Sequence, residues 1–319
     1  MLANIHTKCF IIHLYCFIFA LVFITLRLAD LSQKKLQYAT LLILGLTWGS
    51  SFILMKQGLQ SFSPMEVALI RISSSFLFLL PWMIRLYKKI PRNKVRYLFI
   101  SGLFGNGIPA LLFATAQTQI DSSLAGILNA TTPIFTLIVG GLFFGLMIQK
   151  HAVIGLIIGL IGTIYLIYFS KGIGSSHNYF YTIMPVIAAL CYGLSSNIIK
   201  SRLQSLSPIM VTGGALSFMG PPSIAILLLF TDVPTQIISH NQHLQNFAWL
   251  LLLGIVGTSL AVLIFNYLIK QTTVLFAASV TYLIPIFAMA WGLILGESIT
   301  IHYFLGIVII LSGVYIANR

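Results

Sequence analysis

Ten apolar runs, each about long enough to cross a lipid bilayer, follow one another through this chain with short polar links between them. They fall at 37–57, 65–86, 96–117, 122–146, 151–170, 179–200, 208–230, 246–270, 275–295 and 300–317. A hydrocarbon core about 30 Å thick needs about 20 apolar residues in a helix. Within that core a helix satisfies its own backbone hydrogen bonds. The 319 residues are 58% hydrophobic and 7% charged, against about a quarter charged in ordinary soluble domains. The prediction is an all-α polytopic membrane protein with ten transmembrane helices. Even the 231–245 link is too small to fold alone. One more apolar run, 9–26, lies between Lys8 and Arg27. It reads as an extra N-terminal hydrophobic helix or a signal-anchor, because no A-x-A-like cleavage site follows it.

The formal net charge of +13 does not point to nucleic acid, because Lys and Arg sit mostly between the apolar runs. There they orient the chain by the positive-inside effect. Arg85, Lys88, Lys89, Arg92, Lys94 and Arg96 place the second link in the cytoplasm. Counting spans from there puts Lys34, Lys35, Lys150, Arg202, Lys270 and Arg319 on the same side, with Lys171 the main exception. Both ends of the ten-helix core are therefore expected to be cytoplasmic. Cys9, Cys16 and Cys191 lie in apolar runs without a CxxC pair and read as small apolar fillers.

The chain repeats itself. GSSFILMKQGLQSFSP at 49–64 returns as GLSSNIIKSRLQSLSP at 193–208, an offset of 144 that aligns Lys56 with Lys200 and Pro64 with Pro208. At an offset of 152, Gly102 aligns with Gly254, Phe113 with Phe265 and Pro133 with Pro285. The last spans align at 151, Gly145 with Gly296 and Gly162 with Gly313. Each unit holds five spans, an odd number, so the second copy enters the membrane from the opposite face. We expect two inverted five-helix repeats, at 37–171 and 179–319, after an N-terminal extension at 1–36. Inverted repeats suit a site that opens alternately to either side.

Trp48-Gly-Ser-Ser-Phe with Lys56, Ser63-Pro64, Arg71, Pro133 and Gly296-Glu297 together resemble the EamA-type units of the drug/metabolite transporter superfamily. The resemblance covers both units. It implies a ten-helix carrier with a cavity between the first four helices of each unit, the fifth and tenth lying outside. It also implies export of amino acids or other small metabolites across a bacterial inner membrane, import of nucleotide-like or other small solutes being the alternative. One departure stands out: Glu297 aligns with Leu146, so any mechanism that needs an acid in both units is in doubt.

Polar residues inside apolar spans are the cavity candidates, since unpaired amides and hydroxyls are unfavourable there. Asn106, Asn129, Asn197 and Asn266 all fall within spans. Asn106 aligns with Thr258, Asn129 with Thr281, and Trp48 with Tyr192. Ser51 and Tyr282 complete the set; Gln117, nearer a span end, is weaker. Ordinary interhelical bonding is the bland reading of each. A second group, Lys56, Glu66, Arg71 and Glu297, is expected toward the external edge as a gate or charge cluster. Arg71 lies seven residues past Pro64, about 10 Å into the membrane, a costly depth for a lone cation. Lys200, beside Arg202, reads as a snorkelling flank residue. Pro109, Pro133 and Pro285 are expected to kink or hinge their spans. Asn129-Ala-Thr131 fits a glycosylation sequon, but a buried helix cannot be glycosylated.

Enzyme signatures are missing: there is no HExxH, G-x-S-x-G or Walker sequence, and the histidines are dispersed. No catalytic residue, metal site or cofactor is expected. The expected partners are a small-molecule substrate and the lipid bilayer. A coupling proton or counter-solute and a homodimer stay open. A channel or a lipid-translocating protein is the alternative to a carrier.

Overall fold

The computed structural model describes residues 33–146, 150–169, 179–297 and 299–317. The 9–26 run, Asp30 and Lys171 lie outside the described residues. Among the described residues the chain is helical, with no strand. The main helices are α1 (Gln33–Gly58), α2 (Pro64–Leu86), α3 (Arg92–Ala116), α4 (Ser122–Phe144) and α5 (Lys150–Phe169). They are followed by α6 (Tyr179–Arg202), α7 (Pro208–Phe230), α8 (Asn241–Gln271), α9 (Val274–Ile294) and α10 (Ile301–Ala317). Eight of these, all but α5 and α10, are long and apolar enough to cross a membrane. The apolar stretches of α5 and α10, Val153–Tyr165 and Ile301–Gly313, are shorter.

Local chemistry sets the boundaries. Ser63 caps α2 by accepting the Glu66 N–H at 3.4 Å, while the Glu66 carboxylate accepts the Ser63 N–H at 2.8 Å. Pro64 occupies the first turn, where its missing N–H costs nothing. Gly145 and Gly296 close α4 and α9 at φ 68° and 78°, a left-handed conformation that disfavours any side chain. Hydroxyls inside the helices mostly bond the carbonyl one turn back, as Thr40, Thr47, Ser50 and Ser51 do. That keeps them satisfied without a partner helix.

The helices pack in matched pairs. α1 lies on α8 and α9, while α6 lies on α3 and α4; α2 packs on α7, α4 on α9, and α5 on α10. The repeated glycines explain the first match. A Cβ on Gly49 would stand 3.0 Å from the Ile284 carbonyl oxygen, and one on Gly193 would stand 2.8 Å from the Thr136 nitrogen. Each glycine therefore lets its helix touch backbone on the facing one. α5 and α10 pack chiefly on each other and expose rows of apolar side chains, including Ile154, Ile157, Ile161, Phe304 and Val308.

The prolines mark breaks. α4 loses helical geometry at Ala130 and Thr131, and α9 passes through a 3₁₀ turn at Ser279–Tyr282. Pro133 and Pro285 sit in the first turn of the helical segments that resume. α3 and α8 carry matching wide turns, Leu103–Gly107 and Ile255–Leu260. Pro109 follows the first of these, whereas Ala261 stands in the corresponding place in α8. The wide turn is therefore not a proline effect. Irregular backbone at membrane depth is tolerated where it lines a cavity.

Candidate functional site

The breaks surround a cavity of about 100 Å³ enclosed by α1–α4 and α6–α9. Neither α5 nor α10 contributes to its lining. Its aromatic walls come in two matched pairs. Trp48 meets Phe265 edge-on at 5.2 Å, and Tyr192 stacks on Phe113 at 6.2 Å. The Trp48 indole N–H donates to the Gly257 carbonyl at 3.0 Å, within the wide turn of α8. Of the polar candidates read from the sequence, Trp48, Ser51, Asn106, Asn129, Tyr192, Asn266 and Thr281 line this space.

Three candidates lie elsewhere. Asn197 is buried and donates to the Thr136 and Gly193 carbonyls at 2.9 and 2.8 Å, fastening α6 to α4. Thr258 is turned toward α2 and accepts the Arg71 Nε–H at 2.7 Å. Tyr282 sits behind the cavity, packed against the apolar core. Gln117 is buried and donates to the Phe52 carbonyl at 3.0 Å and to Ser122 at 2.9 Å. Sequence reasoning missed Thr132, Ser195, Ser196 and Thr212, which also line the cavity. Thr212 carried a usable signal, because its repeat partner is Ala68, so duplication alone does not account for its hydroxyl.

The four-residue charge cluster divides. Lys56 lies 2.9 Å from Glu297 and 3.5 Å from Asp121. Glu66 is not part of this group, because its carboxylate is spent on the cap of α2. Arg71 is not part of it either, since its side chain turns into the cavity and bonds Thr258. Asp121 takes their place. Glu297 is held at four points: its Oε1 accepts from Lys56 Nζ and the Ser122 N–H at 3.0 Å, and its Oε2 accepts from the Ser123 N–H at 3.1 Å and hydroxyl at 2.7 Å. Ser122 and Ser123 begin α4, where N–H groups lack intrahelical partners and the helix dipole favours an anion. The latch therefore ties α1, the start of α4 and the end of α9 together.

Its two acids respond oppositely to this setting. Burial raises the Asp121 carboxyl above its ordinary 3.8, and the Glu297 charge raises it further against the pull of Lys56. Burial also acts to raise Glu297, but the hydrogen bonds from Lys56 and Ser123 outweigh it and hold that carboxyl below its ordinary 4.5.

Lys200, the counterpart of Lys56, is not a snorkelling residue. Its ammonium donates to the Ile269 carbonyl at 2.9 Å and to the Thr272 carbonyl, closing the end of α8. At this end Thr273, in the place of Asp121, caps α9 by accepting the Phe276 N–H at 3.1 Å. Leu146, in the place of Glu297, lies over Gly140.

Comparison with known proteins places the fold. The EamA-like transporter family matches residues 35–168 and again 180–319, and the chain belongs to that family. An uncharacterized transporter of Archaeoglobus fulgidus is 25% identical over 283 residues, covering 87% of this chain and 98% of its own. The uncharacterized inner membrane transporter YedA of Escherichia coli K12 is 26% identical over 263 residues, covering 81% and 82%. The uncharacterized transporter YoaV of Bacillus subtilis is 24% identical over 277 residues, covering 85% and 92%. One crystal structure superposes with a TM-score of 0.63 at 15% identity, covering 87% of this chain and 95% of its own, a likeness of fold alone. The chain is a multi-pass membrane protein of the transporter class.

Proposed function

We propose that this protein is a secondary-active carrier that moves a small solute by alternating access, built from ten transmembrane helices in two inverted five-helix repeats. The observation that carries the reading is the cavity at the breaks in α4 and α9, walled by matched aromatic pairs from both halves. The paired helix contacts support the same symmetry: each contact of α1 or α2 with the second half has its counterpart from α6 or α7 to the first. In this reading the Lys56–Glu297 pair, with Asp121 beside it, holds the external end closed, and both ends of the ten-helix core face the cytoplasm. Export of small metabolites such as amino acids is carried over from the resemblance, and a bacterial inner membrane agrees with the relative named for it.

The test is transport by the purified full chain in liposomes. The panel holds amino acids, nucleotides, sugars, cationic drugs and organic anions, with and without a pH gradient. Saturable flux with counterflow is expected for at least one solute. Flux that stays linear at high solute would make the protein a channel, and absence of flux across the panel would sink the carrier reading.

A further inference from the structure

The acids among the described residues all lie at the Lys56 end. Asp121 and Glu297 face Lys56, Glu66 caps α2, and Asp232 opens the link that brings His243 beside Phe62. The opposite, Lys200 end therefore carries cations alone among those residues. Three of its ammonium groups bond carbonyls at or just past helix ends: Lys200 on Ile269, Lys270 on Leu206 at 3.1 Å, and Lys94 on Arg202 at 2.6 Å.

Two guanidiniums are arranged differently. Arg96 and Arg202 both lie over the Tyr97 ring, their Cζ atoms 4.7 and 5.8 Å from its centroid, and Arg96 Nη2 also donates to the Tyr97 hydroxyl at 2.8 Å. Lys94, bonded to the Arg202 carbonyl, stands beside them. Both arginines are exposed, and no carboxylate pairs with either among the described residues. The attraction of a ring for an exposed cation is modest, and repulsion opposes gathering three like charges. The positive-inside effect asks for a number of cations, not for their convergence.

The second half repeats the scaffold without the charge. Tyr97 aligns with Trp249, but Lys94 aligns with Asn246, Arg96 with Ala248 and Arg202 with Gly58. There Trp249 and Asn246 are buried, and Asn246 bonds the Ser61 hydroxyl at 2.7 Å. The cations are an addition at a repeated aromatic position, and the fold does not require them.

The surface next to them is apolar. Val95 and Phe99 share the outer face of α3 with Arg96 and are 38% and 44% exposed, and Phe99 meets Phe218 of α7 edge-on at 5.8 Å. Phe99 lies three residues past Arg96, about 4.5 Å further toward the bilayer centre. Guanidinium forks match phosphate oxygens, and clustered cations at a membrane surface attract anionic headgroups. A free phosphate would use the cations but not the apolar face; a phospholipid uses both. We infer that Arg96, Arg202 and Lys94, gathered around Tyr97, bind the phosphate of an anionic phospholipid whose acyl chain lies along Val95 and Phe99. Lys94 and Arg96 belong to the first half and Arg202 to the second, so the headgroup ties the two halves together at the Lys200 end. The inference needs the membrane-spanning fold, and neither the solute nor the direction of transport.

The test titrates the purified full chain, in a neutral detergent, with dioleoyl phosphatidylglycerol. Bound lipid is read by native mass spectrometry and stability by the thermal unfolding midpoint. Dioleoyl phosphatidylcholine serves as the neutral lipid and glycerol 3-phosphate as the phosphate without chains. Phosphatidylglycerol should bind about tenfold or more tighter than either, and it alone should raise the midpoint. Arg96→Gln combined with Arg202→Gln should weaken its binding about tenfold or more while keeping the midpoint measured in phosphatidylcholine. Lys34→Gln combined with Lys35→Gln removes the same charge from the same end, at the start of α1, and should leave binding near the parent value. Equal loss in the two double variants would reduce the site to diffuse surface charge and overturn the inference. Unchanged binding in the arginine variant, or equal affinity for phosphatidylcholine, would overturn it too. Equal stabilisation by glycerol 3-phosphate would make the occupant a free phosphate and sink the lipid. Should the double arginine variant not fold, Arg202→Gln alone carries the same comparison, with a smaller loss expected and unchanged binding again the overturning result.

Discussion

Glu297→Gln should loosen the Lys56 end of the molecule. The carboxylate accepts four hydrogen bonds and is 5% exposed, while Lys56 is 35% exposed. Glutamine keeps one acceptor, so its NH2 must face either Lys56 with the Ser122 amide or the amide and hydroxyl of Ser123. The first choice strands two donors; the second strands the Ser123 N–H, since the Ser123 hydroxyl can turn to the Ala288 carbonyl at 3.5 Å. Breaking a fully buried, hydrogen-bonded ion pair costs about 3–5 kcal/mol, and water at a partly exposed lysine offsets a share of that. A net effect of about 2 kcal/mol corresponds to roughly a thirtyfold change in an equilibrium constant. If the latch forms in only one of two states, their population ratio moves by that factor. The assay is labelling of a Ser51→Cys thiol in the cavity by a hydrophilic maleimide, with the native cysteines replaced. Labelling should accelerate up to about thirtyfold in Glu297→Gln. A folded Glu297→Gln protein that labels at the parent rate would refute the reasoning.

Three further outcomes follow from the same geometry. Asp121, raised from 3.8, penalises the closed latch when ionised, and the penalty fades as pH falls toward that value, while Glu297 contributes fully above 4.5 and is lost only as pH falls through its depressed value. Labelling of Ser51→Cys, corrected for a free thiol, should therefore slow between pH 7 and about pH 4.5, and Asp121→Asn should remove that slope. Lys200→Met deprives the Ile269 and Thr272 carbonyls of their donor and should cost about 1–3 kcal/mol, read as a lower unfolding midpoint in detergent. Gly254→Ala places a Cβ 2.6 Å from the Arg71 carbonyl oxygen and onto the Ser74 hydroxyl. It should cost about 1–3 kcal/mol and impair transport together with stability, whereas Ala at exposed Leu229 should do neither.

The scaffold was legible because it rests on length and on repetition. The apolar runs coincide with helices, and the repeated phrase placed Gly49 and Gly193 where two helices touch backbone. The charge network was less legible, since a side chain's partner depends on which helices become neighbours. Arg71 was suspect from its depth alone, but Thr258 lies 187 residues away and reads as a cavity hydroxyl, not as its partner. Asp121 was not among the residues singled out from the sequence. Its alignment with Thr273, a working cap that it does not imitate, was the available signal. Lys200 was misread because the positive-inside effect explained it before geometry was considered. Carbonyls at a helix end are invisible in sequence, yet they are what it binds.

The contrast between the two lysines carries the last step. Both hold the same place in the repeated phrase, and both reach from an α1-type helix to the link after an α3-type helix. Lys200 meets backbone carbonyls, which do not titrate and stay where the helix end puts them. Lys56 meets two carboxylates, one of them anchored on the first amides of α4. A carrier whose two ends were chemically identical would close either end at equal free energy. Here the strength of one closure varies with protonation and ionic strength, while the other depends on packing. Supplying the missing acid tests this asymmetry. Leu146→Glu stands where Glu297 stands in the other half, and a carboxylate there would meet Lys200 if the two ends share geometry. The variant should then favour closure of the Lys200 end and raise Ser51→Cys labelling from the Lys56 side. If labelling is unchanged while Lys200→Met lowers stability as before, the two ends do not compete, and the latch is a local tie with no bearing on alternation.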